Sequence, residues 1–162
     1  MPVTTDAPLM QPSRPGREAD GTVLLDREFL AGTLSALREE VLTTALAAGL
    51  SRDRSIEVLL AAHELAANVI RHGSGRGRLR MRVTARALSC QVSDAQAAAL
   101  PGRAGWHQAD DDAPAPTAWP VEHGHGLWLV RRTADQVQVT AGPAGSVVFM
   151  RFNLPAATLP TA

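Results

Sequence analysis

From Ser55 to Arg71 the chain reads as a helix whose wheel is apolar almost all the way round. Ile56, Leu59, Leu60, Ala67 and Ile70 fill one side, and Val58, Ala62, Leu65, Ala66 and Val69 fill most of the rest. Such a helix must be covered on more than one side. Ser51 and Asp53 are placed to cap its start, and His72-Gly73-Ser74-Gly75 stops it. Between its first and last turns the polar residues are His63, Glu64 and Asn68. Burying a carboxylate beside an amide costs on the order of several kcal/mol without compensation, so a partner is expected opposite them.

The rest of the chain arranges itself around that helix. The first residues, with Pro2, Pro8, Pro12 and Pro15, show no periodic apolar face, so 1–21 is expected to be a flexible tail and 156–162 a second one. Thr22 to Leu25 reads as an edge strand, and Leu30, Leu34, Leu37, Val41 and Ala45 then form one helical stripe that Gly49 ends. Leu79, Met81, Val83 and Ala85 alternate with Arg78, Arg80, Arg82 and Thr84, which gives a strand with one arginine face on the surface. Leu88, Cys90 and Val92 form the next strand, with Asp94 at its end. Gln136 to Thr140 and Val147 to Leu154 read as a hairpin around Gly142-Pro143-Ala144-Gly145. Gly124-His125-Gly126 opens a third helix that ends near Ala134. The Ala-, Pro- and Asp-rich stretch between Asp94 and His123 is longer than an ordinary connection, and a loop of that length is functional or disordered. The expected fold is an α/β (α+β) two-layer sandwich, a mixed, mainly antiparallel sheet with helices packed on one face.

Composition narrows the chemistry. At 162 residues the chain makes about one domain, and sixteen acidic side chains balance sixteen basic ones. No net field holds nucleic acid or an anionic membrane, so neither is an expected partner. Every basic residue is Arg, which excludes a Schiff-base lysine and a P-loop lysine. The single Cys90 forms neither an internal disulfide nor a metal cluster, and no signal-like or membrane-length apolar run is visible, so the expected setting is cytoplasmic.

Glu64 and Asn68 stand four apart and point to one place. The carboxylate can accept a proton, and the amide oxygen can ligate magnesium (Mg2+) without adding charge. A polar pair at that spacing is more often structural; the apolar helix around this one favours chemistry. Gly124 and Gly126 at a helix start leave backbone N–H groups open to an anion, although glycines there are often simple connectors. His63-Glu64 lacks the second histidine of the metalloprotease helix motif, since position 67 is Ala, and His63 reads as a core or interface residue. His72, His123 and His125 read as solvated, and Trp106 and Trp119 as apolar plugs.

Taken in order, His63-Glu64-Leu65-Ala66-Ala67-Asn68-Val69-Ile70-Arg71-His72-Gly73, the strand-end Asp94, and Gly124-His125-Gly126-Leu127 resemble the ATPase domain of the GHKL superfamily. The resemblance spans about residues 22–155, and the short chain is similar to the anti-sigma-factor serine/threonine protein kinases and their stand-alone bacterial relatives. It implies a GHKL (Bergerat-type) fold that binds ATP and magnesium, with Glu64 as general base and Asn68 as the magnesium ligand of the family's N-box. It further implies that Asp94 accepts from the adenine amine, that Gly124, His125 and Gly126 hold phosphate, that Ser146 touches adenine, and that 95–123 is the ATP lid. The implied partners are a protein antagonist or a sigma factor, and the implied act is phosphorylation of the antagonist. Leu30 to Gly49 is the surface expected for docking or for a homodimer. One departure favours a different reading: the family's Asp-x-Gly-x-Gly is here Asp94-Ala95-Gln96-Ala97-Ala98. Without glycines the backbone passes less freely beside a nucleotide, which suits a non-catalytic partner-switching module with a degenerate site.

Overall fold

The computed structural model describes residues 21–94, 125–142 and 145–156. Their elements run β1 (Thr22–Leu30), α1 (Leu34–Ala47), α2 (Arg52–His72), β2 (Arg76–Val83), β3 (Ala87–Asp94), α3 (His125–Thr133), β4 (Gln136–Gly142) and β5 (Gly145–Asn153). The strands form one sheet in the order β1-β2-β3-β5-β4, and all four pairings among them are antiparallel. The three helices pack against one face, giving the two layers expected; no parallel pair occurs among the described residues.

Period-two alternation decides which side chains enter the core. Leu25 and Phe29 of β1, Leu79 and Met81 of β2, Leu88, Cys90 and Val92 of β3, and Val148, Met150 and Phe152 of β5 are buried beneath the helices. Leu37, Val41 and Ala45 of α1 and Val58, Ala61, Ala62, Leu65, Ala66 and Val69 of α2 close the layer from above. Gly77 is required by this packing: a Cβ there would overlap the Phe29 ring and lie 2.6 Å from the Ser93 carbonyl oxygen.

Three expectations change. The first strand runs through Leu30, so Leu30 belongs to β1 and not to the stripe of α1; a 3₁₀ turn, Ala31–Thr33, separates the two. The strand is longer because Leu25 and Phe29 keep its alternation going, a signal obscured by the charged Asp26-Arg27-Glu28 between them. The α2 helix is covered on more than one side as expected, by α1, α3 and the sheet, but Ile56 and Leu60 are 37% and 43% exposed. Glu64 and Asn68 are half-buried on its flank, so neither carries the full cost of a core polar group. Of the expected tails 1–21 and 156–162 all but Gly21 and Ala156 lie outside the described residues, as do the lid 95–123, with Trp106, Trp119 and His123, and Gly124.

Candidate functional site

The α2 helix is the spine of the site. Ser51 caps it, its hydroxyl accepting from Arg54 N–H at 3.2 Å, and Asp53 lies in the first turn where a carboxylate favours the dipole. Arg54 fixes its neighbour. That guanidinium donates to Glu57, to the Thr133 carbonyl at the end of α3 and, at 2.6 Å, to Asp135, and it stacks 5.4 Å above the Phe152 ring. Asp135 in turn accepts from Asn153 N–H at 2.7 Å, so one node ties α2, α3 and β5.

Because α3 packs along α2 and ends beside the first turn of α2, its first residues point back toward the middle of α2. Arg54 and Glu57 mark the α3 side of α2, and the positions that continue that stripe by helical spacing are Ala61, Glu64 and Asn68. By that direction of packing, the start of α3, His125-Gly126, is the end of α3 that lies toward the later half of α2. Neither Glu64 nor Asn68 makes a side-chain hydrogen bond or ion pair among the described residues.

Asp94 closes the other end. Its side chain is buried at 3% exposure, Oδ2 accepting from Ser74 N–H at 2.8 Å and Oδ1 lying 2.7 Å from Ser74 Oγ. The Ser74 hydroxyl also lies 2.9 Å from the Arg76 carbonyl oxygen, and its one proton goes to the charged, nearer acceptor. The loop leaving α2 can make these bonds because Gly73 N–H and Gly75 N–H both return to the Val69 carbonyl oxygen and Gly75 takes φ +78°. Gly73 has no room for a Cβ beside Asp94. On the opposite side, Ser93 pairs with Val147, and the same register carried one residue further sets Ser146 across from Asp94 on the helix-covered face. Ser146 is half-buried there. Sequence reasoning treated His72-Gly73-Ser74-Gly75 only as a helix stop and missed Ser74 as the group that orients Asp94; a serine one residue past a helix-ending glycine was the available signal.

His63 sits apart, at the α1–α2 seam with Leu37, Arg38 and Leu59, and its buried Nδ1 has no hydrogen bond among the described residues. Burial, and next the Arg38 charge, lower its pKa from the ordinary 6.5, so the ring is neutral near pH 7. Among the described residues no group of three or more metal-ligating side chains is assembled.

Asp94, held against the end of α2, and Asn68 and Glu64, nearer its middle, are thus strung along one helix. A model of the histidine kinase-like ATPase domain matches residues 28–152. The chain belongs to this family. Membership of the histidine kinase-like ATPases implies ATP binding and an ATPase- or kinase-like function. The residues fit such a nucleotide on their own chemistry: a buried, serine-held carboxylate suits an exocyclic amine, and an amide and carboxylate with no hydrogen-bond partner among the described residues suit a metal–phosphate group and a proton. No curated protein matches the chain. Among the described residues, no helix is long and apolar enough to cross a membrane.

Proposed function

We propose that this histidine kinase-like ATPase domain is a regulator that phosphorylates a serine or threonine of an antagonist protein, in the manner of the anti-sigma-factor kinases it resembles. The observation that supports it most is the pair Glu64 and Asn68, half-buried on the flank of α2 that faces α3 and without a hydrogen bond or ion pair among the described residues. A purely structural carboxylate in that position would be expected to hold a partner.

Asp94 and Ser146 orient the adenine end, with the Asp94 carboxylate acting as acceptor. Asn68 would hold magnesium, which supplies neutralisation of phosphate charge when bound. The backbone N–H groups at the start of α3 face the phosphates. The acceptor hydroxyl oxygen bonds to the γ-phosphorus, the bond from that phosphorus to the bridging oxygen breaks to leave ADP, and Glu64 takes the hydroxyl proton. Such chemistry suits the cytoplasm, where ATP and its protein antagonist are at hand.

The second reading is a partner-switching module without catalysis, favoured by Ala95-Gln96-Ala97-Ala98 in place of the family's glycines. Calorimetric titration with ATP, with and without magnesium, followed by label transfer from γ-labelled ATP to a co-purified antagonist, separates the two. Magnesium-dependent ATP binding that weakens about ten- to a hundredfold in Asp94→Ala supports the site, and transfer supports the kinase. ATP binding without transfer leaves the partner-switching reading; equal ATP affinity in Asp94→Ala removes Asp94 from the site.

A further inference from the structure

One stripe of α2 stays open among the described residues. By helical spacing it runs Ile56, Leu60, His63, Ala67 and Arg71, and its two halves differ in chemistry. In the first half Ile56 and Leu60, one turn apart, leave apolar surface in water. The second half is cationic. Arg71 is exposed, its Nε donating to the Ala67 carbonyl oxygen at 3.4 Å, and Arg38 of α1, also exposed, lines one small cavity with His63. Burial lowers the pKa of His63, and the charges of Arg38 and, against that of Glu64, of Arg71 bear on the same ring, so both guanidiniums lie near it. Neither arginine makes an ion pair among the described residues, and Glu40 of α1 is taken by Arg27.

We propose that this stripe docks the antagonist protein through an amphipathic acidic segment, with apolar side chains on Ile56 and Leu60 and carboxylates on Arg38 and Arg71. The inference rests on the kinase reading for the identity of the partner and not for the surface itself. Guanidiniums match carboxylates as a planar fork, and two that hold no carboxylate of their own give up no ion pair to accept one. The apolar half makes an acidic segment with leucine-like side chains a better match than a purely charged one. Asp53 and Glu64 border the stripe, so a continuous phosphodiester chain or an anionic membrane would meet carboxylates that a short segment lying between them avoids. Glu64 follows His63 in the chain, and a segment held on this stripe therefore runs beside the proposed base.

The test uses the full chain and a fluorescein-labelled peptide in which a leucine pair precedes a run of glutamates, read by fluorescence anisotropy at low salt. ATP binding is followed by calorimetry on the same samples. The peptide with lysine in place of glutamate, a labelled oligothymidylate and phosphatidylserine vesicles are the controls. Arg38 is exposed on α1 without a hydrogen bond among the described residues, and Arg71→Gln keeps a good helix former in α2, so Arg38→Glu and Arg71→Gln are expected to fold as the parent does. The acidic peptide is expected to bind the parent and to lose about tenfold or more in affinity in Arg38→Glu, about threefold in Arg71→Gln and about fivefold in Leu60→Ser, with ATP affinity unchanged in all three. A parent that binds ATP but not the acidic peptide overturns the docking surface alone; one that binds the peptide but not ATP supports the surface and sinks the kinase reading. The proposal is also overturned if Arg38→Glu binds the peptide undiminished, or if the lysine peptide, the oligothymidylate or the vesicles bind as tightly.

Discussion

Gly73 lies against the carboxylate of Asp94 so closely that a Cβ on Gly73 would overlap Asp94 Oδ2, and the same Cβ would come within 2.8 Å of the Val69 carbonyl oxygen. The end of α2 and the end of β3 are therefore in direct contact at the residue proposed to bind the adenine end of the nucleotide. Gly73→Ala must displace either the carboxylate or the last turn of the helix. The expected outcome is a loss of about 1 to 3 kcal/mol in urea-unfolding stability together with weakened ATP binding by calorimetry. Parent-like values of both would show that the contact is easily relieved.

Glu64 and Asn68 are expected to fail differently. Glu64→Ala should keep most of the ATP affinity and lose phosphotransfer by roughly 10² to 10⁴, the range for a removed general base. Asn68→Ala should weaken magnesium-dependent ATP binding and transfer together if, as proposed, the metal joins Asn68 to phosphate. Since neither side chain has a polar partner among the described residues, both variants should melt close to the parent. Unchanged label transfer in Glu64→Ala would sink its assignment.

Arg54 is the clearest stabilising side chain outside the core. Its ion pair with Asp135 is half-exposed, 29% and 34% for the two side chains, and by itself contributes little. The bond to the Thr133 carbonyl and the stacking on Phe152 add to it. Arg54→Ala is expected to cost about 2 kcal/mol in denaturant unfolding, with Asp135→Asn costing less. A cost below about 0.5 kcal/mol for Arg54→Ala would mean that α3 is held by apolar packing alone.

Acid should find Asp26. Hydrogen bonding from Arg78, reinforced by Arg80 and opposed by partial desolvation, holds its pKa below the usual 3.8. A carboxylate whose folded pKa is depressed contributes stability above its unfolded pKa and loses that contribution as pH falls through the folded value. Asp26→Asn is expected to lower stability near neutral pH and to flatten the decline below about pH 4. Parallel stability curves for parent and variant between pH 2 and 6 would exclude the linkage.

Much of this was legible because the strong signals were local. The alternation in 79–83 and 88–92, the glycine ends of the helices and the Glu64–Asn68 spacing each report on their own segment. Ser146 was placed beside adenine by resemblance alone; the register of β3 with β5 ends one residue short of it, at Ser93 and Val147. What escaped was set between segments. Leu30 fits the periodicity of α1 and is out of phase with Leu25 and Phe29, and only pairing with Arg76 assigns it to the strand. Ile56 and Leu60 look like core by type, yet the sheet approaches α2 from one side. A net charge of zero likewise hides the convergence of Arg38 and Arg71 on His63, because composition sums what the fold separates.

The strand order has a kinetic consequence. The β2–β3 and β4–β5 pairs are near neighbours in the chain, whereas β1 reaches β2 only past α1 and α2, and the two hairpins meet only where β3 joins β5 beyond α3, along one long-range seam. Joining it carries a loop-closure entropy that the hairpins do not, and topology of this kind slows the last stage of assembly. Asp94 and Ser146 stand on opposite sides of that seam, at its end. A nucleotide gripped by both behaves as a rivet: it is expected to slow the parting of the two halves, so that saturating ATP lowers the unfolding rate in a denaturant jump while leaving the refolding rate nearly unchanged.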